Sequence, residues 1–251
     1  MKKFILALAI TAVTSLTFAQ IKMKIGVKAG LTIPNLTSGN SDNPLSFGYR
    51  SLLAGSAAIH AEFYTSRYFS IQPQLEYSPQ GGKKSGIQAF TTPTEISQQF
   101  PAGMAPAFLY ADYKSRAEMH YIMLPILAKY HLNLKKKWST YIAAGPFASY
   151  LLSAKNITKG TSIIYLDKYK AEPLNPVAQS FDSKNNITSD LHRFNTGISG
   201  HLGVDYKIAG GCSAFIEAGG NYGLVDIQKN SSNGKNKTGA AVIYIGYQCK
   251  L

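Results

Sequence analysis

The chain closes on a segment whose two faces differ in chemistry. Ala241, Ile243, Ile245, Tyr247, Cys249 and Leu251 alternate with Ala240, Val242, Tyr244, Gly246, Gln248 and Lys250. A period of two is that of a strand, here with one apolar and one mixed face. The opposite end of the chain carries a short apolar segment of the kind that directs export. An export signal and a terminal amphipathic strand are what a membrane β-barrel needs, and about seven further segments repeat the alternation.

Lys2 and Lys3 precede an apolar run from Phe4 to Leu16. That run is too short to span a bilayer as a helix, which takes about 20 residues. Thr17-Phe18-Ala19 then places small residues at the two positions a signal peptidase reads. Residues 1–19 are therefore read as a removed signal peptide, and 20–251 as one β-barrel domain. No cysteine follows the cleavage point, so no lipid anchor is expected there. No later stretch resembles a transmembrane helix. The mean hydropathy of −0.07 is compatible with a membrane barrel, in which only alternate residues meet lipid.

The formal net charge is +13, or +11 once Lys2 and Lys3 are subtracted. A basic chain invites a nucleic-acid reading, but an exported protein does not meet nucleic acid, and no helix-turn-helix, RNP or zinc-ligand pattern is present. The expected partners are outer-membrane lipid and polyanions at a cell surface: lipopolysaccharide phosphates, acidic glycans or an acidic envelope protein. Export permits a disulfide between Cys212 and Cys249, which fall near the same end of the last hairpin. Both lie on apolar strand faces, and a cross-strand bridge strains ladder geometry, so two free lipid-facing thiols are expected.

Alternation resolves about eight strands, and the side chains sort by parity. Outward sets include Ile25, Val27, Ala29, Leu31 and Ile33, then Phe69, Ile71, Pro73, Leu75 and Tyr77. Ile122, Leu124, Ile126 and Ala128 follow in the fourth strand, and Ile198, Leu202 and Val204 in the sixth. In the fifth strand, both faces are fairly apolar, and Gly145 and Ser149 set the lumen parity. Pro73 and Pro125 are expected at bulges or at lost ladder bonds. Connections alternate in length. Short ones are expected at Thr65–Tyr68, Asn133–Lys137 and Ala209–Gly211; long ones at Thr37–Arg50, Gly81–Arg116, Ala154–Leu191 and Asp226–Thr238. Short periplasmic turns, long extracellular loops and two periplasmic termini match an outer-membrane barrel. Aromatic residues gather at the strand ends. Tyr64, Tyr68, Tyr130, Trp138, Tyr206 and Tyr247 lie by the short turns, and Tyr77, Tyr150 and Tyr222 by the long loops, as two girdles.

These residues also resemble a family, the PorT-like outer-membrane β-barrel proteins of Bacteroidetes. Gly26 to Leu31 (G-V-K-A-G-L) is similar to that family's first strand, and Ile71 to Lys83 (I-Q-P-Q-L-E-Y-S-P-Q-G-G-K) to its third. Tyr121 to Tyr130 (Y-I-M-L-P-I-L-A-K-Y) and Ala144 to Lys155 (A-G-P-F-A-S-Y-L-L-S-A-K) resemble its fourth and fifth. Tyr222-Gly223-Leu224 and Ile245 to Tyr247 match its last hairpin. Two departures stand out: Met123 replaces a frequent acidic residue, and Leu251 replaces the terminal aromatic common in barrels. The resemblance implies fold and location. Some relatives serve protein secretion and attachment of surface proteins.

The expected lumen is rich in ionisable groups: Lys28, His60, Glu62, Glu76, Lys129 and His131 from the first half, and Arg193, His201, Asp205, Lys207, Glu217 and Lys250 from the second. About eight strands enclose a space that side chains can fill, and charges enclosed there must pair. A structural network plugging the barrel is expected, with a narrow ion path as the alternative. His60-x-Glu62 and His201-x-x-x-Asp205 are weak metal candidates, and neither a metal nor a cofactor is expected. His120 and His192, with Ser115, Glu118, Ser189 and Asp190 nearby, are the candidates for a hydrolase of lipid or peptide. No nucleophile elbow supports them, and no catalytic residue is assigned. The long loops, with Phe90, Phe100, Phe108, Tyr110, Tyr165, Tyr169 and Phe181, carry too many aromatics for spacers. The reading is a single antiparallel transmembrane β-barrel that is not an enzyme and acts in surface binding or envelope and secretion assembly. A narrow channel or a surface hydrolase are the alternatives.

Overall fold

Alternation with strong β-formers on one face leaves the backbone one economical way to satisfy its polar groups, which is to close on itself. The computed structural model describes residues 22–38, 41–132 and 137–251. The expected signal peptide, and most of the expected turn from Asn133 to Lys137, lie outside them. Eleven strands form one antiparallel sheet. In chain order they are β1 (Met23–Thr37), β2 (Ala54–Tyr64), β3 (Phe69–Thr91), β4 (Phe108–Leu132), β5 (Trp138–Lys159), β6 (Thr161–Tyr165), β7 (Pro173–Ser180), β8 (Ser183–Asn186), β9 (Phe194–Lys207), β10 (Cys212–Gly223) and β11 (Lys237–Lys250).

Eight of these close a ring, in the order β1-β2-β3-β4-β5-β9-β10-β11, and β11 returns to β1 from Lys24↔Lys250 to Thr37↔Lys237. Closure removes both sheet edges, so every ladder bond inside the ring has a partner. The three others, β6, β7 and β8, lie in the connection between β5 and β9 and extend the sheet at its long-loop end. No helix among the described residues is long and apolar enough to cross a membrane.

Parity places the apolar set outside. On β4, Tyr130, Ile126 and Leu124 are exposed, while His131, Lys129 and Met123 are buried. On β5, Tyr141, Ser149 and Leu151 are buried, while Ile142 and Tyr150 are exposed. Leu202 is 62% exposed and Ile245 66%. A continuous outward band of this kind is far beyond the apolar patch a water-soluble monomer tolerates. The prolines remove ladder pairs rather than make bulges. Pairing of β2 with β3 lapses between His60↔Gln74 and Phe63↔Ile71, opposite Pro73, and pairing of β3 with β4 lapses between Pro73↔Ile126 and Glu76↔Met123, at Pro125. The register shift falls elsewhere, where β5 spends one extra residue between His120↔Ser153 and Tyr121↔Leu151.

Two expectations are corrected. The stretch expected to be a loop from Gly81 to Arg116 is mostly strand: β3 and β4 stay paired from Gly81↔Glu118 to Thr91↔Phe108. The fourteen residues past Tyr77 (91 − 77) carry β3 about 45 Å further at about 3.3 Å each. A one-turn helix, Thr94–Ser97, sits in the remaining connection. The stretch expected as a loop from Ala154 to Leu191 likewise holds the end of β5 and the three short strands. The second correction concerns the cysteines. Cys212 and Cys249 stand opposite each other in register and form a disulfide rather than two free thiols. Their Cα atoms are 4.0 Å apart, near the close spacing of about 4.5 Å in non-hydrogen-bonded antiparallel pairs. The pair also lies beside the turn at Gly210 and Gly211, both at positive φ, where the ladder ends and the backbone can adjust.

Candidate functional site

Inside the ring the inward side chains build two carboxylate-centred clusters. Glu217 on β10 accepts from Lys28 Nζ of β1 at 2.6 Å and from the Tyr141 hydroxyl of β5 at 2.8 Å. His201 Nδ1 lies 3.2 Å from the same carboxylate, and its Nε2 is 2.8 Å from Ser199 Oγ. Glu62 on β2 takes Lys129 Nζ at 3.3 Å, His131 Nε2 at 2.8 Å and the Ser70 hydroxyl at 2.7 Å. Lys129 also donates to Gln72 at 3.1 Å and sits 3.7 Å above the Tyr141 ring, which ties the two clusters together. Gln248 bridges His60 and Asp205 at 3.2 and 3.1 Å, and Glu76 reaches Tyr244 and Ser78. Buried charges need partners of this kind, since each unpaired one costs several kcal/mol (order of magnitude).

The ring fits around these groups because large inward side chains face glycine. Tyr141 lies opposite Gly203, Phe215 opposite Gly246, Phe147 opposite Gly197, His60 opposite Gly26 and His201 opposite Gly219. In each pair the ring occupies the space a Cβ would take on the glycine. A narrow barrel fills its interior by this alternation of small and large. Glycines on inward positions of strands were visible in the sequence, and their cross-strand ring partners were not, because pairing depends on register.

Three of the expected lumen residues stand elsewhere. Arg193 is exposed and donates to the Leu151 carbonyl at 3.1 Å, and Lys207 and Lys250 are exposed at the short-turn mouth. Each is the last or first residue of its strand or lies just beyond it, where parity no longer guarantees enclosure. That mouth is a recess of about 380 Å³ lined by Lys24, Tyr64, His131, Asp205, Lys207 and Lys250. Tyr64, expected in the girdle, turns into it and stacks on His131 at 5.2 Å. Tyr68, Tyr130, Trp138, Tyr206 and Tyr247 are exposed at that end, and Tyr77, Tyr150 and Tyr222 at the other.

Toward the long loops the lumen becomes apolar. Leu36, Ala117, Met119, Tyr121, Leu151 and Ala154 from the ring meet Leu191 and Ile227 from the connections, with Tyr49 and Ile187 packed on top. Sequence reasoning missed this plug because its members come from strand extensions and from loops. Above it a cavity of about 330 Å³ is lined by Tyr49, Lys84, Gln88, Tyr113, Asn156 and Gln228, among others. Lys84 Nζ donates to the Leu45 carbonyl at 2.6 Å and lies 4.1 Å over the Tyr49 ring. Burial lowers the Lys84 ammonium pKa to about 8, and burial, with Tyr113 nearby, pushes the Tyr49 phenol up to about 12. Of the loop aromatics, Phe181 stacks on Tyr113 at 4.8 Å and meets Phe90 edge-on at 5.5 Å.

The hydrolase candidates do not converge. His120 points to the outer wall, where its Nδ1 is 2.6 Å from the Tyr77 hydroxyl, whereas Ser115 faces inward and donates to Gln88. Ser189 donates to the adjacent Asp190, Glu118 pairs with Arg116, and the His192 backbone N–H donates to Ile227. His60 and Glu62 bond different partners, as do His201 and Asp205. No group of three or more metal-ligating side chains occurs among the described residues.

A family model described as the outer membrane protein beta-barrel domain matches residues 18–229. Similar solved structures include Ail, the attachment invasion locus protein of Yersinia pestis, at 10% identity, covering 91% of this chain and 99% of that one, with a TM-score of 0.39. The outer membrane protein OprG from Pseudomonas aeruginosa has 11% identity, coverages of 92% and 97% and a TM-score of 0.41. The outer membrane protease OmpT from Escherichia coli has 9% identity, coverages of 94% and 99% and a TM-score of 0.42. No curated protein matches the sequence.

Proposed function

The chain belongs to the outer membrane protein β-barrel domain family, and from that premise we propose that it is a sealed, non-enzymatic anchor that presents a sheet above the bacterial outer membrane for binding or envelope assembly. Both termini then face the periplasm with the short turns, and the long-loop end faces outside. The strings from Gly26 to Leu31 and from Tyr121 to Tyr130 support a place among the PorT-like proteins of Bacteroidetes within that family.

One observation carries the reading: β3, β4 and β5 continue as a paired sheet well past the apolar band, while the lumen beneath it is filled by Glu62, Glu217 and their partners and closed by the plug at Tyr121 and Leu151. A pore needs a continuous polar path, and a catalytic site needs converged groups at the rim. A protruding rigid sheet suits neither need but suits contact with a partner. The protein in planar bilayers is expected to pass no unitary current, and in detergent to leave lipid and peptide substrates intact. A steady current reduced by Lys129→Gln would move the reading to a channel. Hydrolysis abolished by His120→Ala or His192→Ala would move it to an enzyme.

A further inference from the structure

The outer wall of the projecting sheet changes character just above the aromatic residues. Tyr77, Ile122, Tyr150 and Phe194 lie in one cross-strand row over β3, β4, β5 and β9. Moving outward on the same face, the rows turn cationic. Glu118 and Lys155 come first. Arg50, Lys83 and Arg116 are next, directly opposite one another, with Lys184 further along that row on β8. Ser85, Lys114 and Lys159 follow. All seven cations are exposed.

This arrangement is costly for the protein alone. Like charges directly opposite on neighbouring strands destabilise a sheet, and Lys114↔Lys159, Lys83↔Arg116 and Arg50↔Lys83 are three such pairs. Among the described residues, Arg116 alone of the seven forms an ion pair, with Glu118 at 2.6 Å. Lys84, Ser115 and Thr158, on the alternate positions, face the cavity, so the cations belong to the wall that continues the lipid-facing surface. At about 3.3 Å per residue and a strand tilt near 40°, each residue climbs about 2.5 Å. The cationic rows therefore stand about 10 to 20 Å above the aromatic row, and long lysine stems can reach down several ångströms more.

We propose that this wall seats the phosphates of lipopolysaccharide, on lipid A and the inner core, in the outer leaflet beside the barrel. Height selects a ligand whose anions lie just above the interface. The sideways orientation selects one that approaches from within the leaflet rather than from above the sheet tip. The seat does not depend on whether the lumen conducts, so it stands or falls separately from the sealed-anchor reading.

The test is titration of the full protein in non-ionic detergent with rough-type lipopolysaccharide, the same lipopolysaccharide after enzymatic dephosphorylation, and inorganic polyphosphate. Each Lys near an anionic lipid surface contributes roughly fivefold in affinity. Lys114→Gln with Lys159→Gln is expected to weaken binding roughly 25-fold, and adding Lys83→Gln and Lys155→Gln to weaken it further. Dephosphorylation is expected to act like the four substitutions, and unboiled gel mobility to stay that of a folded barrel. If the quadruple variant does not fold, the double variant decides. A loss under threefold on substitution, equal binding of the dephosphorylated form, or polyphosphate binding as tightly as lipopolysaccharide would each overturn the proposal.

Discussion

Glu217 is the side chain on which the filled-lumen reading can be put at risk. Its carboxylate holds Lys28 at 2.6 Å, with side-chain exposures of 1% and 0%, and also accepts from the Tyr141 hydroxyl. Glu217→Leu leaves an ammonium buried without its counter-ion and a phenol without its acceptor. Breaking one partner of a buried pair costs about 3–5 kcal/mol, and an orphaned buried donor adds about 1–3 kcal/mol. Against a typical total of about 5–15 kcal/mol, a loss of at least about 3 kcal/mol is expected. Lys28→Met combined with Glu217→Leu removes both charges and is expected to recover most of it, because an apolar pair of similar volume avoids the desolvation penalty. The assay is urea unfolding of the refolded barrel in lipid vesicles, followed by fluorescence and by the unboiled gel shift. A single-variant cost below about 1 kcal/mol, the range of water-exposed pairs, would refute the reasoning. So would a double variant whose cost equals the sum of the singles, since the two groups would then not be sensing each other.

Three further outcomes follow from the same geometry. Replacing both Cys212 and Cys249 by Ser opens a loop 37 residues in sequence separation, and a loss of about 2–4 kcal/mol in the same unfolding assay is expected, with reduction of the wild type giving the same shift; no change on reduction would remove the bridge. Gly203→Val drives a Cβ into the Tyr141 ring and should cost about 1–3 kcal/mol and deplete the folded gel band, whereas Gly55→Val, where a Cβ meets open space, should be near neutral; equal effects would contradict the ring–glycine packing. Lys84 has a folded pKa of about 8, below its unfolded value, so between those two values the unfolded state binds more protons and stability rises with pH. Amide exchange around Leu45 to Tyr49 is therefore expected to slow as pH passes upward through 8, after correction for intrinsic exchange, and Lys84→Met to abolish that pH dependence; a dependence that survives the substitution would assign it elsewhere.

The ring itself was legible in the chain. Eight alternating segments, with their parity, correspond to β1 to β5 and β9 to β11, because inside a membrane the outward face has to be apolar and the inward face is free to be anything else. Even β5, apolar on both faces, could be phased from Gly145 and Ser149. The inward Lys28, His60, Glu62, Glu76, Lys129, His131, His201, Asp205 and Glu217 are buried as their parity requires. Parity states which way a side chain points and not what it meets. The Glu62 and Glu217 clusters, the glycine–ring pairs and the disulfide all depend on register between strands distant in sequence, and parity carries no register.

The strand extensions were lost for a different reason, and β4 shows it best. From Leu132 to Ile122 its even positions are apolar and exposed, while His131 and Lys129 on the odd face are buried and charged. Past His120 the pattern reverses: Met119 and Ala117 on the odd face join the apolar plug, and Glu118, Arg116 and Lys114 on the even face carry charge. The strand has not turned over, since its pairing with β3 runs without a shift from Glu76↔Met123 to Thr91↔Phe108. What changes is the solvent on each side. Below His120 the outside is hydrocarbon and the inside must hold a polar network. Above it the outside is water and headgroups, and the inside must become a core. A search for alternation in constant phase reads that inversion as the end of the strand. For a barrel whose strands outgrow the bilayer, the residue where the phase inverts marks the membrane surface, and in this chain that residue is His120, one row beyond Tyr77, Ile122 and Tyr150.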